Sequence, residues 1–397
     1  MKQLSHSVFY NGILNPAMRV FDVIMRTEYG TSYNSYVVKG SEKTAIIEAA
    51  HLRFAESYKE ELEEALGEEK PSYLILNHTE PDHTGAVAKL ADWFPEITVV
   101  CSQAASIYIK NITNMPDLNI RVVRDGDTIS LGDKTLRFIN APFLHWPDSM
   151  FTWLEEERFL FSCDFLGAHY CEPGVMDTKI AYPDAYWDAM KYYYACIFGP
   201  FGPYVKNGLE KISGLDIAMV CPSHGPALTP GVQLERVIDY YKRQSAPKQS
   251  PMLIPLFYCT AYGNTKKIAE AVAEGIRNVF PKASVAAYNI IEHGMEELGR
   301  LLNASDAFLI GALTINRDAV PPIWQLLSHI DAVNIAKRPA ALFGSFGWSG
   351  EAFPHVAGRL ASLKCKVFDK QFKLNFVPSE KDLENAAAFG EEFARSL

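Results

Sequence analysis

Apolar and polar positions alternate in short runs along the first 240 residues of this chain. The runs "YNSYVVKG", "KTAIIEAA", "ITVVCSQ", "IRVVRDGDTISLG", "TLRFINAP" and "FTWLEEERFLFSCD" are short, rich in β-branched and aromatic residues, and read as strands. Between them, "FAESYKEELEEALGEE" and "TGAVAKLADWF" carry helical spacing. Paired strands with peripheral helices predict an α+β sandwich. After residue 251 the pattern becomes more regular. "MLIPLFYC", "ASVAAYNI", "AFLIGAL" and "AALFGSFG" are apolar runs, with a helix over "TKKIAEAVAEGIRNVF" and a closing helix from Lys381. That alternation predicts an α/β doubly wound parallel sheet, although Pro255 falls inside a central strand, where its missing N–H weakens the ladder. The polar "RQSAPKQSP" at 243–251 separates the two patterns, so domains are expected at 1–247 and 251–397. There is no internal repeat of fixed period.

Composition narrows the function classes. The 397 residues are 48% hydrophobic and 21% charged, with a net charge of -9, enough for two buried cores and wrong in sign for a nucleic-acid binder. No stretch is apolar enough to cross a bilayer, and the first residues lack the apolar core of a secretion signal. Seven scattered cysteines without a CxxC pair suit reduced thiols in a cytoplasm, and exclude a built-in iron–sulfur or rubredoxin-type site.

Chemistry concentrates in "LNHTEPDHTGA", 76–86, where His78, Glu80, Asp82 and His83 follow an apolar strand and precede a helix. Three more candidates each come after an apolar run: His145 in "APFLHWPDSM", Asp164 in "LFSCDFLG" and His224 in "MVCPSHGPAL". A lone histidine after a strand is usually a surface or hydrogen-bonded residue. The ordered set H-x-E-x-D-H, H, D, S-H-G is more specific, and it resembles the metallo-β-lactamase superfamily over most of the first 240 residues. In the hydrolases of that superfamily the position of Glu80 is a histidine, which suits zinc. Four histidines and three carboxylates suit iron, with manganese and zinc left open by ligand type alone. Of the remaining histidines only His169, five residues past Asp164, is a candidate for a supporting role.

In the second part, a strand ends in T-A-Y-G-N-T and opens into a helix. Thr260, Ala261, Tyr262, Gly263, Asn264 and Thr265 bring hydroxyls, an amide and backbone N–H groups to a helix N-terminus, an anion site. A plain turn would need Gly-Asn but not three hydroxyls. No G-K-[ST] or G-x-G-x-x-G is present. Two further loops lie at strand ends: Thr314, Ile315 and Asn316 in one, Gly344 through Gly350 (Ser345, Phe346, Gly347, Trp348, Ser349) in the other. Together the three loops resemble a flavodoxin domain, which implies FMN, with Trp348 placed to stack on a flat ring. Leu313 and Phe346 depart from the proline and tyrosine expected there.

The two halves in this order resemble the flavodiiron proteins across the whole chain. The resemblance implies a metallo-β-lactamase-like αββα sandwich followed by a flavodoxin-like domain. It implies two non-haem irons, one held by His78, Glu80 and His145, the other by Asp82, His83 and His224, with Asp164 between them. The implied activity is reduction of dioxygen to water or of nitric oxide to nitrous oxide. Electrons would come from a separate donor such as a rubredoxin or a reduced deazaflavin. The implied assembly is a head-to-tail homodimer or a dimer of dimers. Two rival readings are a hydrolase with a regulatory flavodoxin domain and a non-catalytic electron carrier. Glu80 argues against the first, and a complete ligand set against the second.

Overall fold

The computed structural model describes residues 2–246 and 251–397. They fall into two compact units, Met1–Ala246 and Pro247–Leu397. Part of the polar stretch at 243–251, residues 247–250, lies outside the described residues.

The first unit is two packed sheets covered by helices. One sheet has seven strands in the order Lys2–Gln3, Val8–Tyr10, Tyr36–Lys39, Thr44–Ile47, Pro71–Leu76, Thr98–Cys101 and Ile120–Val122. The other runs Thr128–Ser130, Thr135–Asn140, Met150–Leu154, Phe159–Cys163 and Met219–Pro222. Alternation along the strands explains the layering. Val38, Ile47, Ile75 and Val100 point inward and meet Phe138, Met150, Phe161 and Cys221 of the second sheet. Their neighbours Val37, Ile46, Leu74 and Val99 point outward under the helices Ala55–Leu66 and Gln103–Thr113. The far face of the second sheet is covered by Pro183–Tyr193, Gly202–Ile212 and Leu234–Ser245, packed through Trp187, Leu209 and Val237. This is an αββα sandwich. Each buried aliphatic side chain in it contributes about 1.5–3 kcal/mol relative to exposure.

In the second unit five parallel strands run in the order Ser284–Asn289, Leu253–Tyr258, Phe308–Ala312, Pro339–Phe346 and Lys366–Asn375. Helices cover both faces through two separate cores. Pro255 does sit in an interior strand, Leu253–Tyr258, paired on both sides. Its ladder with Phe308–Ala312 begins only at Leu256, so no bond to that neighbour is asked of the missing N–H. The edge strand Lys366–Asn375 is largely polar and half exposed, and for that reason leaves no apolar run in the sequence.

Candidate functional site

The seven expected metal-site residues converge at one edge of the sandwich. His78 follows the strand Pro71–Leu76, and Asp82 and His83 lie on the single helical turn Pro81–Thr84. Asp164 immediately follows Phe159–Cys163, and His224 stands two residues past Met219–Pro222. His145 is not at a strand end as expected, because its strand stops at Asn140 and a loop carries it the rest of the way.

Two groups form around Asp164. The Nε2 atoms of His78 and His145 each lie 3.2 Å from Oε2 of Glu80, and 3.7 and 3.4 Å from Oδ2 of Asp164. On the other side, Nε2 of His83 is 3.3 Å from Oδ1 of Asp82 and 3.2 Å from Oδ1 of Asp164. Nε2 of His224 is 3.0 Å from Oδ2 of Asp82 and 3.4 Å from Oδ1 of Asp164. Asp164 thus turns one oxygen to each group.

These short approaches are not all hydrogen bonds. Both oxygens of Asp82, both oxygens of Asp164 and Nε2 of His83 are buried without a hydrogen-bond partner. Leaving five such atoms unsatisfied would be costly in an ordinary interior. Ligands about 2.1 Å from one ion and at right angles stand about 3 Å apart, and this spacing matches. The donor atoms aim at shared points rather than at one another, which fits a pair of cations bridged by Asp164. Electrostatics point the same way. Burial opposes ionisation of Asp164, but His83, His145 and His224 hold its carboxyl well below the usual range. Burial likewise opposes a charged His78, yet hydrogen bonds to Asp148 and Glu80 and the charge of Asp164 raise its pKa well above the ordinary value. Carboxylates placed to favour positive charge on these rings also favour a bound cation between them.

Supporting contacts fix the rings. Nδ1 of His224 donates to the carbonyl of Ser32 at 2.6 Å, presenting Nε2 to the site. Gly225 has φ +81°, and a Cβ there would lie 2.6 Å from the carbonyl of Ala168, so the S-H-G glycine is required by close approach. Nδ1 of His78 donates to Asp148, whose other oxygen accepts from the backbone and hydroxyl of Thr79 at 2.8 and 2.6 Å. Asp148 is absent from the expected ligand set, and its only sequence signal is an acidic residue three positions past His145. His169 packs against His224, with ring centroids 4.8 Å apart.

In the second unit a cavity of about 340 Å³ opens at the carboxyl edge of the sheet. Thr260, Ala261, Tyr262, Asn264, Thr265, Thr314, Ile315, Ser345, Phe346, Gly347 and Trp348 line it, with Leu313 and Phe376. Gly263, Asn316, Gly344, Ser349 and Gly350 belong to the same loops but do not line the cavity. Gly263, at φ +80°, precedes the helix Asn264–Val279, whose first turn has no side-chain cap and keeps N–H groups free for an anion. Trp348 and Tyr262 are 93% and 91% exposed, an unfavourable placement for aromatic rings unless a flat ligand covers them. Phe376 comes from the loop after the polar edge strand and is tied in by its N–H to the carbonyl of Phe346 at 2.9 Å.

An αββα sandwich with a two-metal carboxylate–histidine centre, followed by a doubly wound sheet with a flavin-sized cavity, defines a redox flavoprotein. Residues 31–225 match the model of the ODP family beta lactamase, and 256–390 match Flavodoxin. The flavo-diiron protein FprA2 of Clostridium acetobutylicum is 47% identical over 100% of this chain and 99% of its own. The anaerobic nitric oxide reductase flavorubredoxin of Pectobacterium atrosepticum is 31% identical, over 93% of this chain and 72% of its own. Among solved structures, the rubredoxin oxygen:oxidoreductase of Desulfovibrio gigas is 25% identical with TM-score 0.74, covering 100% of this chain and 98% of that one. The chain belongs to the flavodiiron protein family. Membership makes it an oxidoreductase with FMN and a diiron site as its cofactors. Among the described residues no helix is long and apolar enough to cross a membrane.

Proposed function

We propose that this protein reduces dioxygen to water, nitric oxide to nitrous oxide, or both, as a cytoplasmic detoxifying enzyme. The observation that carries the reading is Asp164, whose two oxygens face two separate His–carboxylate groups. The metal-binding domain is assigned to 1–247 and the FMN domain to 251–397. His78, Glu80 and His145 would hold one iron and Asp82, His83 and His224 the other, with Asp164 bridging. Loops 260–265, 314–316 and 344–350 would hold FMN. When bound, the metal pair supplies a template and Lewis acid for a diatomic molecule, and FMN adds two-electron capacity.

The chain's own residues do the rest. Glu80 and Asp82 place one carboxylate in each group, which favours higher-valent iron over softer-ligand metals. Ser32 and Asp148 keep the ring nitrogens oriented. Phe21 packs on the ring of His169 and meets that of His224 edge-on, limiting water on that side.

The relatives' names speak of a rubredoxin and of nitric oxide, which supports a rubredoxin as the separate donor here, with a reduced deazaflavin as the alternative. Val23 and Ile24, beside Phe21, are 92% and 85% exposed, and apolar residues also rim the flavin cavity. Two such surfaces support a head-to-tail homodimer, or a dimer of dimers, that covers both. Purified protein should contain two irons and one FMN per chain and consume oxygen and nitric oxide with a reduced donor. Zinc in place of iron, together with hydrolysis and no gas consumption, would reject the reading.

A further inference from the structure

The orphaned polar atoms around the metal site include some that cations would satisfy and one, on His169, that cations would leave unsatisfied. Asp82, His83 and Asp164 belong to the first kind. Nε2 of His169 is buried without a partner, yet His169 belongs to neither metal group. Its side chain is 4% exposed, so bulk water does not serve it. Leaving such an atom unsatisfied costs stability.

The surroundings hold this ring at the site. Its centroid lies 4.8 Å from that of His224, 4.9 Å from that of Tyr193 and 4.4 Å from that of Phe21. The loop that carries it is tied to the same ligand, because the N–H of Ala168 donates to the carbonyl of His224 at 3.2 Å. Nδ1 lies 2.8 Å from Oγ1 of Thr31. That hydroxyl has only a longer alternative acceptor, the Ser32 carbonyl at 3.4 Å. Donation from Thr31 to Nδ1 is therefore favoured, which leaves the proton of the neutral ring on Nε2. The strand Thr31–Tyr33 then orients two imidazoles at once: His224 through the Ser32 carbonyl and His169 through the Thr31 hydroxyl.

We propose that His169 is a substrate-contacting residue, whose Nε2–H donates a hydrogen bond to a diatomic molecule bound beside His224. The inference rests on the proposed gas-reductase reading and adds to it the group that meets the substrate. The bound molecule supplies the acceptor that the folded chain lacks. Thr31 fixes the tautomer, and Tyr193 and Phe21 hold the ring plane.

The test uses the iron-loaded full chain, with nitric oxide as the probe of the reduced protein. Wild type is compared with His169→Leu, His169→Gln and Thr31→Val. Three readouts apply: iron per chain, nitric oxide affinity and the N–O stretching frequency. His169→Leu should keep its iron, bind nitric oxide about two- to tenfold more weakly, the worth of one ordinary hydrogen bond, and shift the N–O band. His169→Gln, which retains an N–H donor, should restore part of both. A His169→Leu protein with iron, unchanged affinity and an unmoved band would overturn the proposal, since a packing role alone would change only the melting temperature. Should His169→Leu lose iron or fail to fold, Thr31→Val decides. It leaves the ring in place and frees its tautomer, and an unmoved band there overturns the proposal equally. Wild type that holds iron but binds no nitric oxide would instead reject the functional reading beneath it.

Discussion

His78 and Asp148 form a buried pair: Nδ1 of the ring donates to Oδ1 of the carboxylate at 3.3 Å, and neither side chain is exposed. The pair turns Nε2 of His78 toward Glu80 and Asp164. Because Asp148 also holds the backbone of Thr79, it fixes both the ring and the loop that carries it. Metal-ligating histidines commonly depend on such a carboxylate for orientation and basicity. Asp148→Ala is expected to lower iron affinity by about 10–100-fold and to leave FMN bound. Iron retention against a chelator measures it, and wild-type retention would contradict the assignment.

Glu80 faces His78 and His145 equally at 3.2 Å. A third imidazole there would give that metal position nitrogen ligands with one shared carboxylate, a donor set closer to zinc. Glu80→His should shift the metal content toward zinc and abolish gas reduction without loss of FMN. Elemental analysis and gas consumption on one preparation decide it. Full activity with unchanged iron would show that Glu80 does not select the metal.

The metal-free protein should carry a particular pH signature. Burial disfavours a charged His83, but the carboxylates of Asp82 and Asp164 outweigh it and lift its pKa to about 10, well above the ordinary histidine value. A folded-state pKa above the unfolded value stabilises fully below about pH 6.5 and is lost as pH rises through about 10. His78 and His145 shift in the same direction, against the same opposing burial. Bound iron would replace these protons on the same nitrogens. The melting temperature of metal-free protein should therefore fall between pH 6.5 and 10 relative to the iron-loaded form. Parallel curves for the two forms would contradict this.

What the chain revealed before its structure depended on where the physical signal lies. Candidate ligands such as His78 and Asp164 lie within two residues of the ends of apolar strands, so the pattern that marks the strand also marks the candidate site. Asp148 and Phe376 lack that marker. Asp148 lies within a loop, and its role comes from contact with His78, seventy positions earlier in the chain. Phe376 follows a strand whose residues are mostly polar, so hydrophobic periodicity gives no sign of it. The same limit explains His145, whose loop of five residues beyond Asn140 is invisible to strand patterning. His169 drew notice through its distance from Asp164, while its bond to Thr31 required the fold.

The cavity proposed for FMN is lined entirely by residues of the second unit. Residues 251–397 expressed alone should give a yellow protein that binds FMN and does not consume oxygen at the parent's rate. Phe376→Ala should weaken FMN binding by about two- to tenfold if its ring packs on the flavin as aromatic pairs do. Fluorescence titration of the fragment measures both. A colourless folded fragment, from a parent that also lacks FMN, would remove the flavin site from this cavity.

The last prediction concerns assembly. The metal site lies at one edge of the first unit and the flavin cavity at the carboxyl edge of the second, and electrons must pass between such sites. A symmetric dimer can supply that proximity by bringing each chain's flavin to its partner's irons, and it would also cover the exposed Val23, Ile24 and Trp348. Two inactive variants test this. One loses iron through His78→Ala and Asp164→Ala, and the other loses FMN through substitutions at Thr260, Asn264 and Thr265. Neither homodimer should reduce oxygen or nitric oxide. In a mixed dimer, the chain with FMN but no iron faces the chain with iron but no FMN. One flavin–iron pair is then restored across the interface, and activity should return in proportion to the mixed species. If transfer instead stays within one chain, every mixed dimer contains only broken pairs. Mixed dimers verified by mass, shown to hold iron in one chain and FMN in the other, and still inactive would exclude the head-to-tail arrangement.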